Sequence, residues 1–467
     1  MTDASAGANE PRTFEKTRTS ETVLQRITAL RAPRKLLGLE LSLLILAIAI
    51  GVAAVIIIDL TVNGAVTATL LPMGIAYVVA LFGLHFTIRR IAPDADPLIM
   101  PIAAMLNMVG VAMIYRISLS PDAPDADGSR QLLWSTIAVV AAIVILWVIR
   151  NHMVLFRYTY LTGLAAVILL LLPMLPGIGQ TINGARVWIH IGGFSFQPGE
   201  IAKILLAIFF AGYLVRSRDS LAMAGKKILG IRFPRARDLG PLIVFWLAAM
   251  SVLVFQRDLG TSLLYFGLFL SMLYIATGRI GWIVLGLGLF IGGGLIASQT
   301  LSYVGNRFAN WLDPFADPSG ASYQMVQGLF GMANGGMTGT GLGQGYPEVT
   351  PLSFSDYIIP SLGEELGLIG LFVILAAYLL LVGRGLRIGF AGHDEFGKLL
   401  ASGLAFTLAF QVFIVVGGVT RVIPLTGLTA PFLASGGSSL VSNWIIIALL
   451  ILLSNSVRNR PKLVIRS

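Results

Sequence analysis

Charged side chains set among hydrocarbon are the places where this sequence could do chemistry. In FQPGEIAKILL (196–206), Glu200 and Lys203 stand three residues apart, and in FQRDLGTS (255–262) Asp258 opens a second apolar run. Positions three apart on a helix share a face, and a charge placed in or beside a membrane span has to be paired. A plain helix start explains part of the first motif, since Pro198 suits the first turn and Glu200 suits the positive end of the helix dipole. It does not explain Lys203, whose charge opposes that dipole. Lys203 needs a carboxylate, and Asp258, at the head of its own span, is the candidate for an interhelical pair.

Two polar stretches carry further carboxylates. WLDPFADPSGASYQ (311–324) repeats Asp-Pro and contains Asp313 and Asp317. Such aspartates cap turns and short helices, but one held against a bound hydroxyl can act as a general base. PLSFSDYIIPSLGEELGLIG (351–370) holds Asp356 and the adjacent pair Glu364 and Glu365. Neighbours on a helix cannot both face one way, so Glu364 is the candidate to face the interior while the other serves the helix N-terminus. The cations outside the basic loops include Arg186 in TINGARVWIH (181–190), Arg307, and Arg421 in VTRVIPLTG (419–427). A guanidinium can grip phosphate through planar paired hydrogen bonds that a lysine makes less specifically. Trp188 reads as an aromatic-belt residue. Gly436, Gly437, Ser438 and Ser439 read equally well as small residues for close helix packing. The glycines of 331–345 are turns, because no strand precedes them and no GK[ST] follows.

Metal and thiol chemistry have little to stand on. The chain contains no cysteine, and its four histidines (His85, His152, His190, His393) lack metal-ligand spacing. A divalent cation, magnesium or manganese, could still neutralise a phosphate, but no ligand set identifies one.

The elements that must position these groups follow from composition. The chain has 467 residues, of which 56% are hydrophobic and 12% charged, with mean hydropathy +0.83; this is an integral membrane protein. Apolar stretches near the length needed to cross a bilayer recur at 37–59, 65–87, 97–116, 132–150, 157–175, 199–215, 240–256, 260–277, 280–298, 358–381, 397–418 and 438–457. The expectation is an all-α polytopic membrane protein of about twelve transmembrane helices. With the N-terminus inside, 26 of the 33 Lys and Arg fall on the cytoplasmic side, which puts both termini there. Residues 1–36 read as a basic, disordered cytoplasmic tail, 37–96 as two N-terminal spans, 97–457 as the core, and 458–467 as a second tail. The basic loop 216–239 fixes topology and touches anionic lipid. Segment 299–357 is far longer than an ordinary connection and faces outward, so it is expected to be functional, built of short helices and re-entrant pieces over a cleft. Segment 419–443 reads as a broken, re-entrant turn.

The motifs NGARVW, QPGEIAK, QRDLGTS, DPFADPSGASYQ, SDYI with GEELGLIG, and PLTGLTAPF with GGSSL stand in the order found in the FtsW/RodA/SpoVE (SEDS) family. Over about residues 97–457 the chain resembles that family, and most of all its RodA branch. The resemblance implies a peptidoglycan glycosyltransferase that polymerises lipid II at the outer face of the bacterial cytoplasmic membrane. It also implies a class B penicillin-binding protein as partner, whose membrane helix would pack near 358–381 and 397–418. On the family's pattern Asp317 is the catalytic carboxylate, and Glu200, Lys203 and Asp258 line a central cavity. Arg307, with Arg186 or Arg421, could face the departing pyrophosphate. The sequence departs from the pattern at Phe354, where a histidine is frequent, and at Ala434 and Ser435, where Ser-Tyr is frequent. The rival class is a lipid II flippase or another twelve-helix secondary carrier, which would share a polar centre and both termini inside.

Overall fold

A computed structural model describes residues 36–458, apart from 183, 192–193, 223–226, 229–230 and 233–235. The expected tails, and parts of the basic loop 216–239, lie outside the described residues. In chain order the helices are α1 (Leu36–Val62), α2 (Leu71–Ile91), α3 (Ile99–Ser118), α4 (Gly128–Val148), α5 (Met153–Arg157), α6 (Thr159–Leu171), α7 (Pro198–Ala222) and α8 (Ala236–Phe255). They continue with α9 (Leu259–Thr277), α10 (Gly281–Thr300), α11 (Ser302–Leu312), α12 (Tyr323–Gly335), α13 (Ile358–Ala391), α14 (Glu395–Val419) and α15 (Gly437–Arg458).

Ten of these, α1–α4, α7, α9, α10 and α13–α15, are long and apolar enough to cross a membrane among the described residues. Two of the twelve expected spans are not in that set. The apolar segment Thr159–Met174 is shorter, because Pro173 cannot continue α6 and the chain tightens into a 3₁₀ turn at Leu172–Met174. The other is α8, on the expected 240–256. A second departure from the all-α expectation is a small antiparallel sheet: β1 (Gly179–Ile182), β2 (Ala185–Ile191) and β3 (Phe194–Phe196). Ile182 pairs with Ala185, and Gly184 takes φ 79° in the turn between them, as two-residue hairpins require.

The bundle is built of packed helix pairs. α1 lies along α3, α2 along α4, and α4 along α15, while α7, α9 and α14 meet around a common centre, and α13 packs on α14 and α3. By contrast α10 is exposed along nearly its whole length, touching α9 and α11.

Two breaks in the helical pattern shape the centre. Between α14 and α15, residues 420–436 are irregular, yet Leu428, Ala430, Phe432, Leu433 and Ala434 are buried. Irregular backbone at membrane depth must find its hydrogen bonds in protein. Here side chains from surrounding helices supply them: Gln411 Nε2 donates to Thr429 O at 2.9 Å, Asn107 Nδ2 to Phe432 O at 3.2 Å, and Gln131 Nε2 to Ala434 O at 3.2 Å. Tyr378 Oη donates to Pro431 O. The second break is in α13 at Gly367, with φ 68° and ψ −174°. The carbonyls freed there are taken by the long loop: Thr340 and Gly341 N–H donate to Glu364 and Glu365 O, and Leu368 and Ile369 N–H donate to Gly336 and Met337 O, at 2.9–3.1 Å.

Candidate active site

α7 begins at Pro198 and carries Glu200 and Lys203 on one face into the centre of the bundle. Lys203 is 2% exposed. Its Nζ donates to Glu200 Oε2 at 2.5 Å, to Gln411 Oε1 of α14 at 3.0 Å and to Asn443 Oδ1 of α15 at 3.4 Å. An ammonium has three protons to place, and these three oxygens take them. Glu200 Oε2 also accepts from Ser442 Oγ at 2.9 Å. Asn443 Nδ2 reaches Ser439 Oγ at 3.2 Å, and Thr429 Oγ1 donates to the same hydroxyl at 3.0 Å. The result is a closed polar network linking α7, α14, α15 and the buried irregular segment.

The carboxylate that pairs Lys203 is therefore Glu200 and not Asp258. The i,i+3 spacing already delivers a partner on the same helix. Asp258 is occupied locally: as N-cap of α9 its Oδ1 accepts from Thr261 N–H at 2.9 Å. Ser438 and Ser439 do more than pack, since Ser438 Oγ accepts from Gln197 N–H at 2.8 Å. Gly437 fits the packing expectation, for any side chain there would run into Trp134.

Toward the loop end of the bundle the polar centre continues into Asp258, Asp356 and Arg307. Burial pushes the Asp258 carboxyl up; the hydrogen bonds from Thr261 oppose this, the Glu200 charge adds to it and Arg307 counters it. Asp356 is pushed up to about 6, first by burial, with the Ser355 hydroxyl and Arg307 pulling it down and the Asp258 charge pushing it up. Both keep an edge toward solvent, so they are accessible groups held in a poorly hydrated setting. Arg307, on α11, donates Nη1 to Leu425 O at 2.8 Å. That bond ties α11 to the irregular segment and sets the guanidinium beside the two carboxyls.

Asp313 and Asp317 follow α11. Both act as turn caps in the backbone: Asp313 Oδ1 accepts from Phe315 N–H at 3.2 Å, and Asp317 Oδ2 accepts from Ala321 N–H at 2.8 Å. Asp317 is exposed. Gly320 lets its carboxylate fold over the turn, since a Cβ at 320 would sit 2.3 Å from Asp317 Oδ2. Arg421, at φ 61°, anchors this turn from behind. Its Nη2 donates to Trp311 O and Leu312 O, both at 3.0 Å, and Trp311 Nε1 donates back to Arg421 O at 2.9 Å. Arg421 thus clamps the C-terminal end of α11. Arg186, on β2, donates Nη2 to Leu175 O at 3.2 Å, just after the 3₁₀ turn that precedes the sheet.

Glu364 does not join the Lys203 network. Its Oε1 accepts from Asn334 Nδ2 at 3.2 Å and from Tyr346 N–H at 3.0 Å. Glu365 Oε2 accepts from Gly343 N–H at 2.9 Å, and Glu365 Oε1 lies 2.9 Å from Arg116 Nε. Both glutamates therefore hold the long loop to α13.

Among the described residues no group of three His, Asp or Glu side chains comes together as a metal site. Gln411, Asn443 and Ser442 are the polar residues that sequence reasoning missed. Gln411 is an isolated polar group in an apolar run, and Ser442 and Asn443 are adjacent polar residues at the head of one, which residues facing lipid would not be.

A polytopic membrane protein with a buried charge network beneath a folded loop is the class this architecture defines. The model of the FtsW/RodA/SpoVE cell cycle proteins matches residues 97–459, and the chain belongs to that family. The peptidoglycan glycosyltransferase RodA of Mycobacterium tuberculosis is 46% identical over 429 residues, covering 90% of this chain and 91% of the relative. Stage V sporulation protein E of Bacillus subtilis is 34% identical over 365 residues, covering 76% and 94%. Among solved structures, one described as the structural coordination of polymerization and crosslinking by a peptidoglycan synthase complex matches with a TM-score of 0.62 at 25% identity, over 78% of this chain and 99% of that one. The rod shape determining protein RodA of Thermus thermophilus shares the fold, with a TM-score of 0.55 at 23% identity over 79% and 98%.

Proposed function

We propose that this chain is a peptidoglycan glycosyltransferase that joins a lipid-linked glycan to lipid II at the outer face of the bacterial cytoplasmic membrane. The observation that carries the reading is the 46% identity, sustained over 90% of the chain, with a peptidoglycan glycosyltransferase RodA. A lipid II flippase or other secondary carrier is not favoured by these relatives, and a carrier has no need of a loop so firmly tied to its helices.

In the proposed reaction a sugar hydroxyl of one lipid-linked substrate attacks the anomeric carbon of the other. The new glycosidic bond forms as the bond to the pyrophosphate oxygen breaks, and polyprenyl pyrophosphate leaves. The Asp317 carboxylate takes the hydroxyl proton, and Arg307 faces the charge that develops on the departing phosphates. Support for Asp317 comes from its exposure on a turn whose base is held by Arg421, which gives a reactive group a rigid mount. The Glu200–Lys203 pair, with Asp258 and Asp356, is assigned to the polar wall of the site. A class B penicillin-binding protein is the proposed partner, a reading supported by the match to a synthase complex that couples polymerization to crosslinking. Both termini are assigned to the cytoplasm.

The test is polymer formation from lipid II by protein purified in detergent, where no compartments exist for a carrier to work between. Wild-type protein is expected to make polymer, and folded Asp317→Asn to lose about 100-fold or more in rate. Full activity in folded Asp317→Asn would remove Asp317 from the chemistry.

A further inference from the structure

We propose that the α1–α2 hairpin, which precedes the family-matched region, is a latch on the long loop, with Asp59 and Thr61 as its positioning residues. The inference rests on the glycosyltransferase reading for its catalytic consequence, and on geometry for the latch itself.

The long loop has to hold a defined shape if the Asp317 turn is to meet substrate. Its closing segment, 341–346, is gripped on one side by the broken α13, through Glu364 and Glu365, and by Arg116 of α3. Arg116 Nη2 donates to Gly345 O at 2.7 Å, besides its contact with Glu365. On the other side the grip comes from α1. Thr61 Oγ1 lies 3.0 Å from Leu342 O, a contact spanning 281 positions of sequence. The same hydroxyl lies 2.8 Å from Ile57 O and 3.1 Å from Ile58 O one turn back, so its one proton is shared between the helix and the loop.

Asp59, two residues before Thr61, is 1% exposed within an apolar helix, where a carboxylate is a functional hypothesis by default. It gathers four donors: Thr67 N–H at 2.8 Å, Thr67 Oγ1 at 3.1 Å, Asn63 Nδ2 at 3.1 Å and Tyr115 Oη at 2.7 Å. Three of these donors, from Asn63 and Thr67, come from the α1–α2 turn, and Tyr115 is the neighbour of Arg116 on α3. One buried carboxylate thus joins the hairpin's tip to the helix whose next residue holds Gly345 and Glu365. The grip passes onward through Glu364 to Asn334 at the end of α12, and α12 contacts the 3₁₀ turn Pro314–Ala316 that leads into Asp317.

The experiment compares wild type, Thr61→Val, Thr61→Ser and Asp59→Ala in the full chain, reading amide hydrogen exchange across 336–349 alongside kcat and KM for lipid II polymerisation. Thr61→Val removes an exposed hydroxyl without changing side-chain size, so it keeps the fold even where Asp59→Ala does not. In Thr61→Val the amides of Thr340, Gly341, Gly343 and Tyr346 are expected to exchange about threefold to tenfold faster, as the loss of one hydrogen bond predicts. Exchange in α15 is expected to stay unchanged. kcat is expected to fall by about fivefold with KM nearly constant, because a misplaced group costs rate before binding, and Thr61→Ser is expected to behave as wild type. Unchanged loop exchange in Thr61→Val, or acceleration shared equally by α15, overturns the latch. Faster loop exchange with an unchanged kcat overturns the positioning role. If wild-type protein makes no polymer, the glycosyltransferase reading fails, while the exchange comparison still decides the latch.

Discussion

Lys203 shows what a buried charge requires at the scale of one residue. Three oxygens from three helices surround its ammonium, and leaving either member of such an ion pair alone would cost about 3–5 kcal/mol. That a lysine in an apolar run needs a carboxylate was legible in the sequence. Which carboxylate was not, because Asp258 and Glu200 stand at equivalent depth on paper and only the backbone shows that Asp258 caps its own helix. Asp356 offers a titration test of the same environment. Its carboxyl is pushed up to about 6, so folding favours the protonated form. That favourable contribution is present at low pH and is lost as pH rises through the folded-state value. Asp356→Asn is therefore expected to raise the melting temperature relative to wild type at about pH 8 and to bring little change at about pH 4. Thermal unfolding in detergent at the two pH values measures it. An equal shift at both would mean that the ionised carboxylate bears no burial penalty.

At the scale of elements, the breaks matter more than the helices. A 3.6-residue pattern and a run of apolar residues announce a span, but α13 reads as continuous and is not. Gly367 occupies a backbone region open in practice to glycine alone, and a Cβ there would sit 2.2 Å from Gly339 N. Gly367→Ala is expected to destabilise the protein by about 1–3 kcal/mol from backbone strain and to release the 336–341 segment, detected as protease cleavage within that segment at lower detergent-stable temperature. A variant as resistant as wild type would show that the break is not held by glycine. The irregular stretch between α14 and α15 behaves in the complementary way. Its backbone stays at membrane depth because Gln411, Asn107 and Gln131 satisfy it, and those residues are scattered over 304 positions, too far apart for any window of sequence to link them.

At the scale of the whole molecule, orientation is the feature that composition and chemistry must agree upon. The concentration of Lys and Arg on one set of connections is expected to place those connections in the cytoplasm, and the proposed reaction needs the Asp317 turn on the other side. The chain has no native cysteine, so single replacements report cleanly. Ser319→Cys is expected to react with a membrane-impermeant maleimide in intact cells, and Asn151→Cys only after permeabilisation. The reverse pattern would leave the proposed chemistry without its substrate face. Hydropathy counts apolar residues and does not register Pro173, which ends α6 before it reaches full spanning length.

Composition, charge placement and the order of the motifs determined that this is a polytopic membrane protein, which family it joins and which carboxylates to question. These are properties carried locally, by each residue's solubility and its neighbours in the chain. Only the tertiary structure decided that Glu200 answers Lys203, that Glu364 and Glu365 both grip the loop, and that Thr61 meets Leu342. Those choices depend on which groups the packing leaves free and which it brings together across the sequence, and a donor takes whichever acceptor then lies within about 3 Å.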